Sequence, residues 1–268
     1  MATLQSQPIA HLTAEITALR VVGTGYYFLS VKAPEIARAA VPGQFVQVRV
    51  SGGIDPLLAR PISIYYTEPE SGEVAFLFKV AGHGTAVLAE RKVGERLTLL
   101  GPLGVGFHVP EQATEIALIA GGVGMPPLYF LARALRRERP ACTITLIYGG
   151  RSAGDLLELA RWEALGVTVV LTTDDGSAGR QGLVTEAFQY HLTWHDVKYL
   201  AACGPKPMLR AVQRLALAMG IAGEFSMEAR MACGVGACLG CVCGTVDGNR
   251  RVCVDGPVFA LDEVHFDA

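Results

Sequence analysis

Ile116-Ala-Leu-Ile-Ala120 runs without a break into Gly121-Gly122-Val123-Gly124-Met125-Pro126-Pro127. Five apolar residues, a glycine turn and a proline suited to the first turn of a helix read as strand, loop and helix start. A loop of this kind leaves backbone N–H groups free at a helix N-terminus, where they suit a diphosphate. Working outward, the same rhythm repeats. Strands are expected at 116–120, 143–148, 167–172 and 199–203, and helices at 127–137, 155–165, 184–191 and 207–219. Alternation of this kind predicts a parallel sheet covered on both faces. Ligands of such sheets bind beyond the carboxyl ends of the strands. Two further turns fall at those ends: Thr172-Thr173-Asp174-Asp175-Gly176, and Cys203-Gly204-Pro205-Lys206-Pro207-Met208. Gly122, Val123, Gly124, Cys203, Gly204 and Pro205 are the candidate nucleotide-binding residues. The acid that closes the usual dinucleotide fingerprint is missing. In its place stands Tyr148-Gly149-Gly150-Arg151, and Arg151 leaves a 2′-phosphate open.

Upstream, six short strands are expected at 14–22, 26–32, 44–50, 61–66, 73–80 and 96–100, with turn material between them and one short helix near 85–91. That spacing predicts a small antiparallel barrel. Arg60-Pro61-Ile62-Ser63 opens one of its strands and Leu77-Phe78-Lys79 closes another. An arginine can pair with a diphosphate, and a serine hydroxyl can hydrogen-bond a flavin ring edge. Gly84-Thr85 opens the short helix, where Thr85 can cap it and meet a phosphate.

Downstream, the alternation stops and cysteines take over. Five of the seven fall between Cys233 and Cys253, and Cys233, Cys238 and Cys241 are spaced Cys-x4-Cys-x2-Cys. This is the plant-type spacing for a 2Fe–2S cluster. Gly234, Gly236 and Gly240 between them let the backbone wrap closely and aim N–H groups at sulfur. Cys253 is the expected fourth ligand. Cys243 lies one residue from Cys241, and in an extended segment their side chains point to opposite sides. A structural zinc site also uses Cys-x2-Cys, but the glycine-filled x4 gap is unusual for zinc. The boundaries expected are 1–107 for the barrel, 108–220 for the α/β domain and 221–268 for a small cysteine-rich domain.

The order R-P-x-S, G-x-G-T, G-G-V-G-x-x-P, C-G-P-x-x-M resembles the ferredoxin-reductase superfamily, in which a flavin barrel precedes a nicotinamide domain. The tail M-E-A-R-M-A-C-G-V-G-A-C-L-G-C-V-C, closing on C-V-D-G-P-V-F, is similar to the electron-transfer subunits of type B dihydroorotate dehydrogenases. That resemblance spans nearly the whole chain. It implies FAD on Arg60, Pro61, Ile62, Ser63, Leu77, Phe78, Lys79, Gly84 and Thr85, with NAD over Gly122–Gly124 and Cys203–Pro205. It implies a 2Fe–2S cluster on Cys233, Cys238, Cys241 and Cys253. It further implies an FMN-containing catalytic partner subunit in a heterotetramer of two of each, serving pyrimidine biosynthesis. Ile62 stands where the wider superfamily often has an aromatic residue. The other reading is a related subunit of a sulfide dehydrogenase or ferredoxin–NADP reductase type of complex. The tails of those relatives tend to lack a counterpart of Cys233.

Composition fits a globular protein and narrows the alternatives. Apolar residues make up 51% and charged residues 18%, the reverse of a disordered chain. The formal charge of −2 offers no cationic surplus for a phosphate backbone, so no nucleic-acid partner is expected. The longest uncharged stretch is 17 residues and is broken by glycines and prolines, short of the roughly 20 a membrane helix needs. No signal peptide is read at the start, and a cytoplasmic protein is expected. No Walker loop, H-E-x-x-H or G-x-S-x-G occurs. The six histidines are scattered and are read as core or surface residues. Asp174-Asp175 is read as a solvated loop pair, so no acid–base catalytic group is assigned.

Overall fold

The computed structural model describes residues 8–266; the first seven and last two positions of the expected terminal domains lie outside the described residues. The expected barrel forms from β1 (Ala10–Gly23), β2 (Tyr26–Lys32), β3 (Phe45–Arg49), β4 (Arg60–Glu68), β5 (Glu73–Lys79) and β6 (Arg96–Leu103), closed in the order β1-β2-β5-β4-β3-β6. Every pairing is antiparallel. Alternate residues such as Val46, Val48, Ile62, Ile64, Phe76 and Phe78 fill its interior. Two short helices accompany it, α1 (Pro34–Ala39) and α2 (His83–Ala89). The first has no counterpart among the sequence expectations, because six residues carry too little periodicity to register.

The second layer is a sheet containing β7 (Glu115–Gly121), β8 (Thr143–Gly150), β9 (Thr168–Thr173), β10 (Arg180–Gln181), β11 (Tyr199–Cys203), β12 (Ala222–Ser226) and, later in the chain, β15 (Val258–Ala260). Its order is β10-β9-β8-β7-β11-β12-β15, parallel except for β15. The chain steps outward from β7 to β8 and β9, then returns to place β11 on the other side of β7. The carboxyl end of β7 is therefore the switch point, where open sheets of this kind leave a crevice. Helices α3 (Met125–Glu138), α4 (Leu159–Ala164), α5 (Val184–His191) and α6 (Lys206–Ala218) complete this part. The helix expected over 155–165 is shorter than that. A 3-10 turn at Ala153–Asp155 precedes it, and Glu158 holds φ +54° just before the helix begins.

Barrel and sheet share one core. Tyr26, Phe28, Tyr65 and Tyr66 from the barrel join Met125, Leu128, Tyr129 and Trp162 in a single apolar cluster. Tyr65 and Tyr129 lie 4.5 Å apart between ring centroids. The sheet also runs past the boundary expected at 220. β12 follows α6 as an ordinary crossover strand, and β15 adds antiparallel beside it. The cysteine segment is an excursion between those two strands and carries its own hairpin, β13 (Val242–Thr245) and β14 (Gly248–Arg251).

Candidate functional site

At one end of the barrel, β4 and β5 part. Their ladder begins only at Ile64 and Phe76. Arg60, Pro61, Ile62 and Ser63 pair on their other side with β3, while Leu77, Phe78 and Lys79 pair on theirs with β2. The facing edges of the two strands carry no ladder bonds to each other there, and backbone polar groups in such a wedge call for partners. This is a cradle that fits a flat ligand with hydrogen-bonding edges, as FAD requires. The side chains of Ile62 and Phe78 sit in the barrel core, and Leu77 is buried in the shared cluster. These three therefore offer a ligand their backbone. Arg60 leaves the wedge and lies over α2, where its Nη1 donates to the Leu58 carbonyl at 2.7 Å. A Cβ on Gly84 would stand 2.0 Å from Arg60 Nε, so the two sequence motifs meet in space. Thr85 Oγ1 accepts from the N–H groups of Ala81 and Gly82 and caps α2.

Beyond this wedge a cavity of about 490 Å³ opens at the switch point. It is lined by Gly121–Gly124 after β7, Gly204 and Pro205 after β11, Arg151 after β8, Asp174 after β9, and Tyr26 and Lys79 from the barrel. The glycines here have different reasons to be glycine. Gly122 holds φ +51° and borders open space, with Tyr26 Oη the nearest group at 3.9 Å from an added Cβ. Gly124 is closely packed: a Cβ there would come within 2.3 Å of the Cys203 carbonyl oxygen. The two glycine turns thus rest on each other, and both contribute to the cavity wall. Cys203 is buried, and burial pushes its thiol well above the ordinary range. It contributes packing and its backbone to this wall.

A run of three hydrogen bonds ties barrel to sheet across the cavity mouth. Lys79 Nζ donates to Tyr26 Oη at 2.9 Å, Tyr26 donates to Asp155, and Arg151 N–H donates to Asp155 Oδ2 at 3.1 Å. Burial works against the Asp155 carboxylate, but the Tyr26 hydroxyl, the Arg151 N–H and the Lys79 charge outweigh it and hold the carboxyl below its usual range. Glu228 is a wall residue that the sequence reading passed over. The residue keeps contact with solvent at the cavity wall, and partial desolvation of its carboxyl there raises it above the ordinary range. The M-E-A-R run was visible in the sequence, but only as the flank of the cysteines.

The cysteine segment closes against the other side of the barrel. Cys241 and Cys253 are buried, in one apolar cluster with Phe45 and Leu103 of the barrel, while Cys233 is partly exposed and Cys238 exposed. The N–H groups of Val235 and Cys238 point at the Cys233 sulfur and bring its thiol down to about 6. Burial, then the neighbouring Cys241 thiol, push Cys253 up to about 12. Cys253 also feels the Cys233 sulfur, so the segment folds back to bring its first and last cysteines together. Four thiols with backbone donors aimed among them fit an iron–sulfur cluster. Cys243 is half-buried on β13 and lies near Cys241 without a hydrogen bond to it.

Another group of metal-type donors among the described residues lies at the far end of β7. Ligand atoms of Glu115, His191 and His195 fall within 4.8 Å of one another. The two imidazoles are stacked, with centroids 3.9 Å apart and planes at 13°. Their in-plane lone pairs therefore lie in nearly parallel planes and do not converge on one ion.

Comparison with known proteins gives this geometry a family. Residues 228–265 match the model for the iron–sulfur cluster binding domain of dihydroorotate dehydrogenase B, and residues 118–214 match the oxidoreductase NAD-binding domain. The chain is 40% identical over 251 residues to the dihydroorotate dehydrogenase B (NAD(+)) electron transfer subunit of Desulforamulus reducens, covering 92% of this chain and 95% of that one. It belongs to that family. The corresponding subunit of Geobacillus thermodenitrificans is 36% identical, over 93% of this chain and 96% of its own length. Among solved structures, a chain described under flavin-based electron bifurcation by an NADH-dependent reduced ferredoxin–NADP oxidoreductase superposes with a TM-score of 0.86. It is 29% identical, over 95% of this chain and 90% of that one. A ferredoxin reductase of carbazole 1,9a-dioxygenase gives 0.66 at 26% identity, over 81% and 68%. As a dihydroorotate dehydrogenase B electron transfer subunit, the chain is an oxidoreductase component with iron–sulfur and NAD-binding parts on a ferredoxin-reductase fold. No helix among its described residues is long and apolar enough to cross a membrane.

Proposed function

We propose that this chain carries electrons between a separate FMN-containing subunit that oxidises dihydroorotate and NAD+, as one half of a cytoplasmic heterotetramer of two subunits of each kind in pyrimidine biosynthesis. The observation that carries this reading is the placing of three unlike sites around one barrel. The parted strands β4 and β5 face the cavity at the switch point, and the cysteine segment packs on the neighbouring strands β3 and β6. When bound, the nicotinamide exchanges a hydride, the flavin exchanges electrons singly or in pairs, and the cluster exchanges them singly.

The residues of the chain do the positioning. Arg60, Pro61, Ile62, Ser63, Leu77, Phe78, Lys79, Gly84 and Thr85 would hold FAD, mostly through backbone groups in the wedge, with Arg60 offering its charge to a diphosphate. Gly122, Val123, Gly124, Gly204 and Pro205 would receive the dinucleotide, with Cys203 supporting that wall from behind. Cys233, Cys238, Cys241 and Cys253 would hold the 2Fe–2S cluster. Around the exposed Cys238, Val235, Leu239 and Val242 are 44%, 63% and 46% exposed, an apolar rim suited to the partner subunit through which electrons enter.

The test is to purify the tagged chain from its native host and identify what accompanies it. A dihydroorotate-oxidising flavoprotein in equal amount is the expected result. A different large oxidoreductase would keep the cofactor sites and remove the pyrimidine role.

A further inference from the structure

Gln47 is 3% exposed, and neither end of its side-chain amide has a hydrogen-bond partner among the described residues. Its neighbour Gln44, also buried, shows the contrast. Gln44 Nε2 donates to the Gly104 carbonyl at 2.7 Å, and Gln44 Oε1 accepts from Val41 N–H at 2.9 Å. A buried amide without partners is destabilising, so an unpaired one is a feature to be explained.

Its position supplies the explanation. On β3, Val46 and Val48 point into the barrel, so Phe45 and Gln47 face outward by strand alternation. Phe45 on that face shares a cluster with Cys241 and Cys253. Gln47 is the cross-strand neighbour of Pro61 in β4 and of Leu100 in β6. An added Cβ on Gly234, the residue after Cys233, would lie 2.7 Å from Gln47 Cγ and 2.9 Å from Nε2. Gly234 itself holds φ +73°, so this turn of the cysteine segment is shaped to sit directly on the amide. Gln47 therefore stands between the strand assigned to the flavin and the loop assigned to the cluster, with its donor on the loop side.

We propose that Gln47 is a positioning residue of the electron-transfer route: its Nε2 donates a hydrogen bond to sulfur of the cluster carried on the Cys233–Cys241 loop and thereby raises the cluster's reduction potential. This rests on the reading of that loop as the cluster site. A donor aimed at cluster sulfur favours the reduced, more negative form. The amide gains the partner it lacks only when the cluster is in place.

The test compares wild type, Gln47→Leu and Gln47→Met, the last an unbranched side chain of similar length. Iron content and visible absorption are measured first, then the cluster potential by redox titration with an electron paramagnetic resonance readout. The expected result is full iron in all three and a lower potential in both variants. At a fixed applied potential, the ratio of oxidised to reduced cluster should rise several-fold; tenfold corresponds to about 59 mV for one electron. Without cluster, the variants should melt no lower than wild type, since an unpaired buried amide has been removed. That advantage should vanish on reconstitution. Unchanged potentials at full iron would overturn the proposal, and so would unchanged potentials with weakened FAD retention, which would assign the amide to the flavin. A wild-type protein without iron–sulfur absorption would overturn it differently, by removing the cluster reading beneath it.

Discussion

Arg60 lies across Gly84 so closely that a single methyl group on the glycine would stand 2.0 Å from the guanidinium Nε. Two motifs that are 24 positions apart in the sequence are thereby one structural unit. Gly84→Ala should push the arginine away from its present place without touching the barrel core. A charged hydrogen bond to a phosphate contributes about 1.5–3 kcal/mol, so FAD affinity should fall by roughly tenfold or more. Titration of FAD into apoprotein, followed by flavin fluorescence, checks this. Equal affinity in the variant would show that Arg60 does not hold the flavin.

The proposed assignment of Cys253 as a ligand and Cys243 as a bystander can be tested directly. Cys253 is buried and faces Cys241 and Cys233, whereas Cys243 is half-buried on the neighbouring hairpin. Cys253→Ser should abolish most of the iron–sulfur absorption, and Cys243→Ser should retain it in full. Iron analysis of both proteins purified without oxygen decides the matter. The reverse pattern would exchange their roles.

Local sequence explains why these sites could be read in advance and others could not. The glycine turn of Gly121–Gly124 and the x4, x2 cysteine spacing are short-range patterns, and backbone conformation over a few residues follows from them. The strand and helix alternation is likewise local. Gln47 and Glu228 carry no such mark, because what singles them out is three-dimensional: a buried amide without a partner for the one, a desolvated carboxyl at the cavity wall for the other. Asp155 was read as the start of a helix, but Tyr26, 129 positions earlier, claims its carboxylate. Long-range register also decides that Val258–Ala260 returns to the sheet beside β12. Ile62 and Phe78 were named as flavin residues on motif position. Strand alternation turns their side chains into the barrel and leaves only their backbone for a ligand.

The lock between barrel and sheet should show in stability. Asp155 accepts from both Tyr26 and the Arg151 N–H and lies 3.8 Å from Lys79 Nζ. Asp155→Asn keeps the shape and removes the charge, which should cost about 1–2 kcal/mol and lower Tm by a few degrees. The carboxyl is held below its usual range in the folded protein. Its contribution is therefore present above the unfolded value near pH 4 and is lost as pH falls through the folded one. The difference in Tm between the two proteins should be steady near neutrality and shrink in acid. A constant difference down to about pH 3 would assign the effect to shape instead of charge.

His191 gives a pH dependence over a different range. It is 7% exposed, its Nε2 has no partner among the described residues, and burial, with His195 beside it, holds its imidazole below the ordinary value. Between the folded value and the unfolded one near 6.5, the unfolded chain binds the extra proton, so stability rises with pH there and is lost as pH falls. His191→Phe keeps a flat ring against His195 and removes this titration. Melting curves at pH 7 and pH 5 should show the variant gaining on wild type at the lower pH. Parallel loss in both would show that other groups dominate the acid limb.

Coenzyme choice should turn on two residues of opposite charge in the wall of the cavity. Arg151 follows β8 and Asp174 follows β9, and both line the same wall. Their turns are tied together, with Asp174 N–H donating to the Gly150 carbonyl at 3.1 Å and Asp175 N–H to that of Arg151 at 3.1 Å. A ribose hydroxyl can donate to the Asp174 carboxylate, whereas a 2′-phosphate there would meet a like charge. Both side chains are exposed, so repulsion from Asp174 and attraction to Arg151 are of similar size and screened alike; the hydroxyl bond to Asp174, open only to an unphosphorylated ribose, tips the balance. The native protein should therefore prefer NADH over NADPH in reducing an artificial acceptor. Asp174→Ser with Arg151 retained should narrow that preference by tenfold or more in kcat/KM, and Arg151→Ala in the Asp174→Ser background should restore much of it. If Asp174→Ser leaves the ratio untouched, the discrimination lies elsewhere along the cavity.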